Sequence, residues 1–140
     1  TLEMLKQAGA RVLHRDWTDF ADQRNYAAEN CKGRWILFLD ADEIPDKLLK
    51  ESLAGFRARP PAGPDFYELK RKVYFCGRFL RHGGFFPERV VRLYRRGAAR
   101  WSGRVHESLE AKGQRLEAVL RRAKALAHIL ANMSITIGPD

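Results

Sequence analysis

A chain of 140 residues has room for one domain with one core. Apolar residues make up 45% and charged residues 31%, the balance of a globular protein and not of a disordered or fibrous one. The longest apolar run, Trp35–Leu39, is far short of the ~20 residues that span a bilayer, and Cys31 and Cys76 are too few for a disulfide scaffold or a four-thiolate zinc site.

The two cysteines read as reduced core thiols of a cytosolic protein. The charge is uneven: residues 1–66 hold 10 basic and 11 acidic side chains, residues 67–140 hold 16 and 6, so the net +9 belongs to the second half. A basic half implies an anionic partner, with nucleic acid, anionic lipid and phosphorylated small molecules all open, or else a solvated basic face. The chain opens at Thr1, with neither initiator Met nor secretory leader, and reads as part of a longer protein.

In chain order, Thr1–Ala8 reads as the end of a helix stopped by Gly9. Arg11–His14 reads as a short strand. Asp19 is placed to cap a helix over Phe20–Cys31, with Gly33 ending it. Trp35–Leu39 is continuously apolar, the pattern of a central strand covered on both faces. Pro45 suits a first helical turn, and Asp46–Phe56 reads as the helix. Pro60–Pro64 is the clearest break. Beyond it Phe66–Phe75 and Arg89–Tyr94 read as strands, with a turn around Gly83 and Gly84. Lys112–Asn132 is helical by spacing: Leu116, Val119, Leu120, Ala123, Leu126, Ala127 and Leu130 recur with Lys and Arg between them. Residues 133–140 match no pattern.

The strongest chemical feature is Asp40-Ala41-Asp42-Glu43, three acids directly after the apolar run. Ligands of open α/β sheets bind outside the carboxyl ends of strands. If extended geometry continues, Asp40 and Asp42 point to one side, and converging carboxylates repel unless a cation joins them. Hard divalent ions take carboxylate oxygens and share their other positions with phosphate. The competing reading is that these acids cap the following helix and face water.

Four segments in order carry a family resemblance: Gln23-Arg24-Asn25; Gly33-Arg34-Trp35-Ile36-Leu37-Phe38-Leu39-Asp40-Ala41-Asp42-Glu43; Arg92-Leu93-Tyr94-Arg95-Arg96; and Val105-His106-Glu107. From about Thr1 to His128 the chain resembles family 2 glycosyltransferases, and among them bacterial enzymes similar to lipopolysaccharide-core β-glucosyltransferases. The resemblance implies a partial GT-A fold, a Rossmann-like α/β sheet with a basic, β-rich and helical C-terminal portion. It implies one partial domain, with residues 1–59 as the α/β half and 65–140 as the acceptor side, lacking the N-terminal strands that hold the nucleotide base. It further implies a nucleotide-sugar donor (a UDP-sugar foremost), a divalent metal (Mg²⁺ or Mn²⁺) and inversion at the anomeric carbon. The acceptor it implies is an anionic glycan or a lipid-linked glycan, with the protein in the cytoplasm or at the inner face of the cytoplasmic membrane and no nucleic acid as partner.

Site residues follow from the same resemblance. Asp42 is implied to bind the metal, with Asp40 near the metal and the donor ribose. Arg24 and Asn25 match a pair near the nucleotide. Arg92, Arg95 and Arg96 match a basic segment, and His106 and Glu107 match the acceptor side. Inverting transfer needs a base for the acceptor hydroxyl, for which Glu107 is the candidate; His106 is a base or a metal ligand. Arginines suit a diphosphate, and residues 89–104 carry six of them and no acid, which also describes an exposed basic strand edge. Trp101 offers a ring face to a sugar or packs in the core. His14, His82 and His128 read as structural or exposed. The Lys112–Asn132 helix lies on an anionic membrane or packs on its own sheet.

Two other readings stay open on the residues. Asp-x-Asp after an apolar strand also opens haloacid-dehalogenase-like phosphatases, in which Asp40 is the nucleophile, although Ile44 stands where those enzymes want Thr or Val. The basic half with its aromatics also suits a nucleic-acid-binding module.

Overall fold

The computed structural model describes residues 2–60, 62, 64–76, 78–83, 86, 88–104, 107–111, 114–115 and 134–137. Its elements are α1 (Leu2–Gln7), α2 (Phe20–Glu29), β1 (Trp35–Leu37), β2 (Glu43–Pro45), α3 (Lys47–Ala58), β3 (Phe66–Phe75), β4 (Arg78–Phe79), β5 (Glu88–Arg95), β6 (Arg100–Ser102), β7 (Ser108–Ala111), β8 (Gln114–Arg115) and β9 (Ser134–Ile137). The main sheet runs β1-β5-β3-β9-β2, with β4 added to β3, and a second sheet runs β6-β7-β8. The β3–β9 pair is parallel and the others are antiparallel.

The expected cap is present: the Asp19 carboxylate accepts from the Asp22 N–H at 2.7 Å and starts α2. Asp46 does the same for α3 through the Leu49 N–H at 2.8 Å. Leu49, Leu53 and Phe56 then fall on one helical face and pack with Trp35, Leu37, Tyr67, Leu69 and Leu93. The Phe56 ring meets Trp35 and Tyr67 edge-on, with centroids 5.0 and 5.4 Å away. On the other face of the sheet Ala21 of α2 joins Ile36, Val91, Tyr94, Trp101 and Leu109. Alternation in β1 sends Ile36 to one face and Trp35 and Leu37 to the other, so both faces are covered as expected.

The position of β1 differs from the expectation. It ends after three residues and, among the described residues, lies at the end of the strand order and not in its middle. Arg11–His14 forms no strand, and Val12 and Leu13 are exposed, without a ladder partner among the described residues. Pro45 sits in β2, which is an edge strand among the described residues, where a missing N–H is tolerated, and the helix begins after Asp46. Cys31 is half-buried, but Cys76 is exposed in a turn with φ 48°, so it is no core thiol. Gln114–Arg115 is a strand; the rest of the expected Lys112–Asn132 helix, together with Gly84, lies outside the described residues. Ser134–Ile137, which matched no pattern, pairs with β3 and β2.

One irregularity shapes everything near the acids. Tyr67 pairs with Leu93, but the next residue, Glu68, pairs with Val91, so Arg92 is skipped by the ladder. This β-bulge breaks alternation, and four consecutive residues, Val91–Tyr94, are buried. Val91 and Tyr94 serve one core cluster and Leu93 the other. The Arg92 carbonyl accepts from the Phe38 N–H at 2.8 Å, which ties the bulge to the chain leaving β1.

Asn25 joins α2 to β6. Its side-chain nitrogen donates to the Trp101 carbonyl and its oxygen accepts from the Trp101 N–H, both at 2.9 Å. Asn25→Ala leaves two buried backbone groups without partners, at about 1–3 kcal/mol for each group that stays dry. The expected result is about 2–4 kcal/mol lost in urea unfolding. A loss under about 0.5 kcal/mol would show that α2 is held by other contacts.

Candidate active site

The acids after β1 do not continue the strand. The chain turns at Ala41 and Asp42, closed by the Glu43 N–H donating to the Asp40 carbonyl at 3.0 Å. Asp40 and Asp42 therefore do not share a strand face. Asp42 is exposed and makes no hydrogen bond or ion pair among the described residues. Asp40 is drawn the other way, into a cluster of arginines.

That cluster is a chain of alternating charge. Glu43, with 1% of its side chain exposed, accepts from Arg92 Nη2 at 2.5 Å and lies 3.7 Å from Arg71 Nη1. Arg92 Nη2 also donates to Asp40 Oδ2 at 2.8 Å. The other Asp40 oxygen accepts from Arg24 Nη2 at 2.9 Å. The same Arg24 nitrogen is 3.1 Å from Glu107 Oε1. Burial makes these contacts mutually dependent, because a desolvated charge left without its partner is costly. Arg71 completes the rim with paired bonds to Glu88 at 2.6 and 2.8 Å.

These residues line a cleft of about 260 Å³ formed by Arg24, Asp40, Arg71, Arg92, Trp101 and Glu107 with neighbours from β5 and β7. Trp101 is buried, and the Arg24 guanidinium lies over its ring at 4.6 Å and over Phe38 at 5.3 Å. The face of Trp101 is thus shared with an arginine. Tyr94, behind it, has its hydroxyl pushed above the ordinary tyrosine range by burial and stays neutral at physiological pH. A larger hollow of about 800 Å³ beside Ala28, Tyr94 and Ala99 includes neither Asp40 nor Glu107.

The structure therefore brings Arg24, Asp40, Arg92, Trp101 and Glu107 together. Asp42 stands at the turn outside the cleft lining, and Asn25 clamps α2 to β6 beside it. Arg95 is elsewhere: it pairs with Asp65 at 2.6 Å and stacks on Trp35 at 4.9 Å. Arg96 donates to the Cys31 carbonyl, and Arg89, Arg100 and Arg104 are exposed. Of the six clustered arginines only Arg92 enters the cleft, because the bulge turns it there. His106 lies outside the described residues. Sequence reasoning missed Glu43 and Arg71 as members of the cluster; an acid completing Asp40-Ala41-Asp42-Glu43 just before an exposed Ile44 was the only available hint for Glu43, and Arg71 had none.

Asp40 and Asp42, the expected metal pair, differ in their surroundings. Both Asp40 oxygens already accept guanidinium bonds, and among the described residues no three acids, histidines or cysteines form a metal cluster. Asp42 remains an open carboxylate. That arrangement fits a cation that arrives with a diphosphate and keeps its waters, as Mg²⁺ commonly does, and does not fit a pre-built protein cage.

The family described as Glycosyl transferase family 2 matches residues 1–105. The lipopolysaccharide core biosynthesis glycosyltransferase LpsC of Rhizobium meliloti is 33% identical over 112 residues, which cover 74% of this chain and 38% of that protein. An uncharacterized glycosyltransferase of Rickettsia typhi is 24% identical over 110 residues, covering 77% of this chain and 37% of that protein. A TPR repeat-containing protein of Synechococcus elongatus is 55% identical over 38 residues, covering 26% of this chain and 9% of that protein. The match takes in α2, the turn after β1, the bulged β5 and Trp101, and the chain belongs to glycosyl transferase family 2, with the α/β architecture of the GT-A fold.

Proposed function

We propose that the protein carrying this chain moves a sugar from a nucleotide-sugar to a glycan acceptor, with inversion and with help from a divalent cation. The observation that supports it is the convergence of Asp40 and Glu107, far apart in sequence, on one nitrogen of Arg24 at 2.9 and 3.1 Å. It joins the acids after β1 to the acid of the His106-Glu107 segment in one cleft. Family membership takes precedence over the phosphatase and nucleic-acid readings. An Asp40 whose two oxygens both accept guanidinium bonds is also poorly placed as a nucleophile.

In this reading Glu107 takes the proton of the acceptor hydroxyl as that oxygen bonds to the anomeric carbon. The bond from carbon to the diphosphate oxygen breaks with its electron pair, and the nucleoside diphosphate leaves. Glu107 is only 17% exposed, and its position, not its basicity, suits a proton taken in concert with attack. Arg24 and Arg92 supply preorganised positive charge beside the departing oxygen. A cation held by Asp42 and the diphosphate would neutralise charge on the leaving group when bound.

LpsC's name places that relative in lipopolysaccharide core synthesis, and we extend a lipid-linked glycan acceptor to this protein. No helix among the described residues is long and apolar enough to cross a membrane. The exposed Arg89, Arg96, Arg100 and Arg104 suit peripheral contact with anionic lipid at the cytoplasmic face.

Binding of UDP-glucose and other nucleotide-sugars to the full-length protein, titrated with and without Mn²⁺, tests the cation. Asp42→Ala is expected to weaken Mn²⁺-dependent binding by about tenfold or more. Equal binding in every arm would remove Asp42 from the site. Glu107→Gln is expected to keep donor binding and to lower transfer by roughly 10²- to 10⁴-fold. Transfer at the wild-type rate would take Glu107 out of the base role.

A further inference from the structure

We infer that Glu43 is a positioning residue that sets the geometry of both aspartates of Asp40-Ala41-Asp42, an inference that rests on the donor-site reading of Asp42. Glu43 closes the turn twice. Its N–H donates to the Asp40 carbonyl at 3.0 Å, and its carboxylate Oε2 accepts from the Asp40 N–H at 3.2 Å. This reciprocal pair encloses Ala41 and Asp42, so the direction in which Asp42 leaves the turn depends on Glu43.

The second oxygen reaches in the opposite direction. Glu43 Oε1 accepts from Arg92 Nη2, the same nitrogen that donates to Asp40 Oδ2. One carboxylate thus fixes the backbone of Asp40 with one oxygen and, through Arg92, its side chain with the other. With 1% of its side chain exposed, Glu43 has no water to replace either partner. Glu43 contacts Asp40 and Arg92 but is not itself among the residues that line the open cleft, so it acts through Asp40, Asp42 and Arg92 and not on a substrate. A buried acid that orients ligating groups in this way tunes affinity without contacting the ion.

Two substitutions separate this role from bulk stability. Glu43→Gln keeps an acceptor for one partner and presents an amide N–H₂ to the other. Glu43→Asp keeps the charge but is one methylene too short to span both. In the full-length protein, calorimetric titration of UDP-glucose, with other nucleotide-sugars as parallel arms, gives the Mn²⁺ concentration for half-maximal binding. Both variants are expected to raise it roughly 10- to 100-fold. Leu49→Ala, a fully buried core change in α3, is expected to lower the melting temperature while leaving that concentration within about twofold. If Glu43→Gln does not fold, Glu43→Asp carries the test, with amide exchange of Asp40 as a second readout; exchange is expected to speed up about tenfold without any ligand present. Wild-type Mn²⁺ dependence in Glu43→Asp, with Asp42→Ala still impaired, overturns the positioning role and leaves the function standing. Identical binding by wild type and Asp42→Ala overturns both. Unchanged Asp40 exchange in Glu43→Asp overturns the positioning role.

Discussion

A single guanidinium nitrogen, Arg92 Nη2, is shared by Asp40 and Glu43 inside the protein, and the rest of the site depends on that sharing. A buried cation is tolerated only when paired, and removing one member of such a pair costs about 3–5 kcal/mol. Arg92 reaches both acids because the β3–β5 ladder skips it. Without the bulge, alternation would hold Arg92 in step with Tyr94, whose ring fills the core between α2 and the sheet. The irregularity in β5 thus converts a core position into a charged one, and α3 with Tyr67, Leu69 and Leu93 packs the opposite face tightly enough to hold it.

Charge in the cleft is nearly balanced. Arg24, Arg71 and Arg92 face Asp40, Glu43, Glu88 and Glu107. The net +9 of the chain is therefore not concentrated there; many basic side chains, such as Arg89, Arg96, Arg100 and Arg104, are on the surface. Composition alone ties the positive half to an anionic substrate, but geometry separates the two. Inside the cleft the arginines are held by acids, with Arg24 Nη1 and Arg92 Nε the buried guanidinium nitrogens not engaged in a hydrogen bond among the described residues. Outside it Arg89, Arg96, Arg100 and Arg104 are exposed, Arg96 bonded to the Cys31 carbonyl and Arg100 within 3.6 Å of Glu29, and present positive charge to solvent.

Features fixed by local chemistry were legible from residue order. Asp19 as a cap, the strands Phe66–Phe75 and Arg89–Tyr94, and the burial of β1 on both faces all follow from side chains within a few positions of one another. Features fixed by a distant partner were not. Arg11–His14 has strand-forming residues but exposed side chains, and a strand exists only with a neighbour to bond. Pro45 suits a helix start and an edge strand equally, and only β9 decides between them. The bulge at Arg92 leaves no mark in Val90-Val91-Arg92-Leu93-Tyr94, because a skipped rung is a property of two strands. The same holds for the site: the motif residues Arg24, Asp40 and Glu107 could be named, whereas Glu43 and Arg71 become visible only through the guanidinium groups between them.

The choice of arginine over lysine at positions 24 and 92 follows from this geometry. Each uses one terminal nitrogen to reach two carboxylates: Arg92 bridges Glu43 and Asp40, and Arg24 bridges Asp40 and Glu107. Asp40, with an oxygen for each, is the middle link of a row that runs from the buried Glu43 to the cleft at Glu107. A lysine ammonium could meet two acids but would lose the flat guanidinium that lies over Trp101 and Phe38 and keeps Arg24 from turning toward solvent. Stacking fixes the plane of Arg24, the bulge fixes the reach of Arg92, and the turn closed by Glu43 fixes Asp40 between them. Each constraint is weak alone; together they leave the row of charges one arrangement in which every buried acid has a partner.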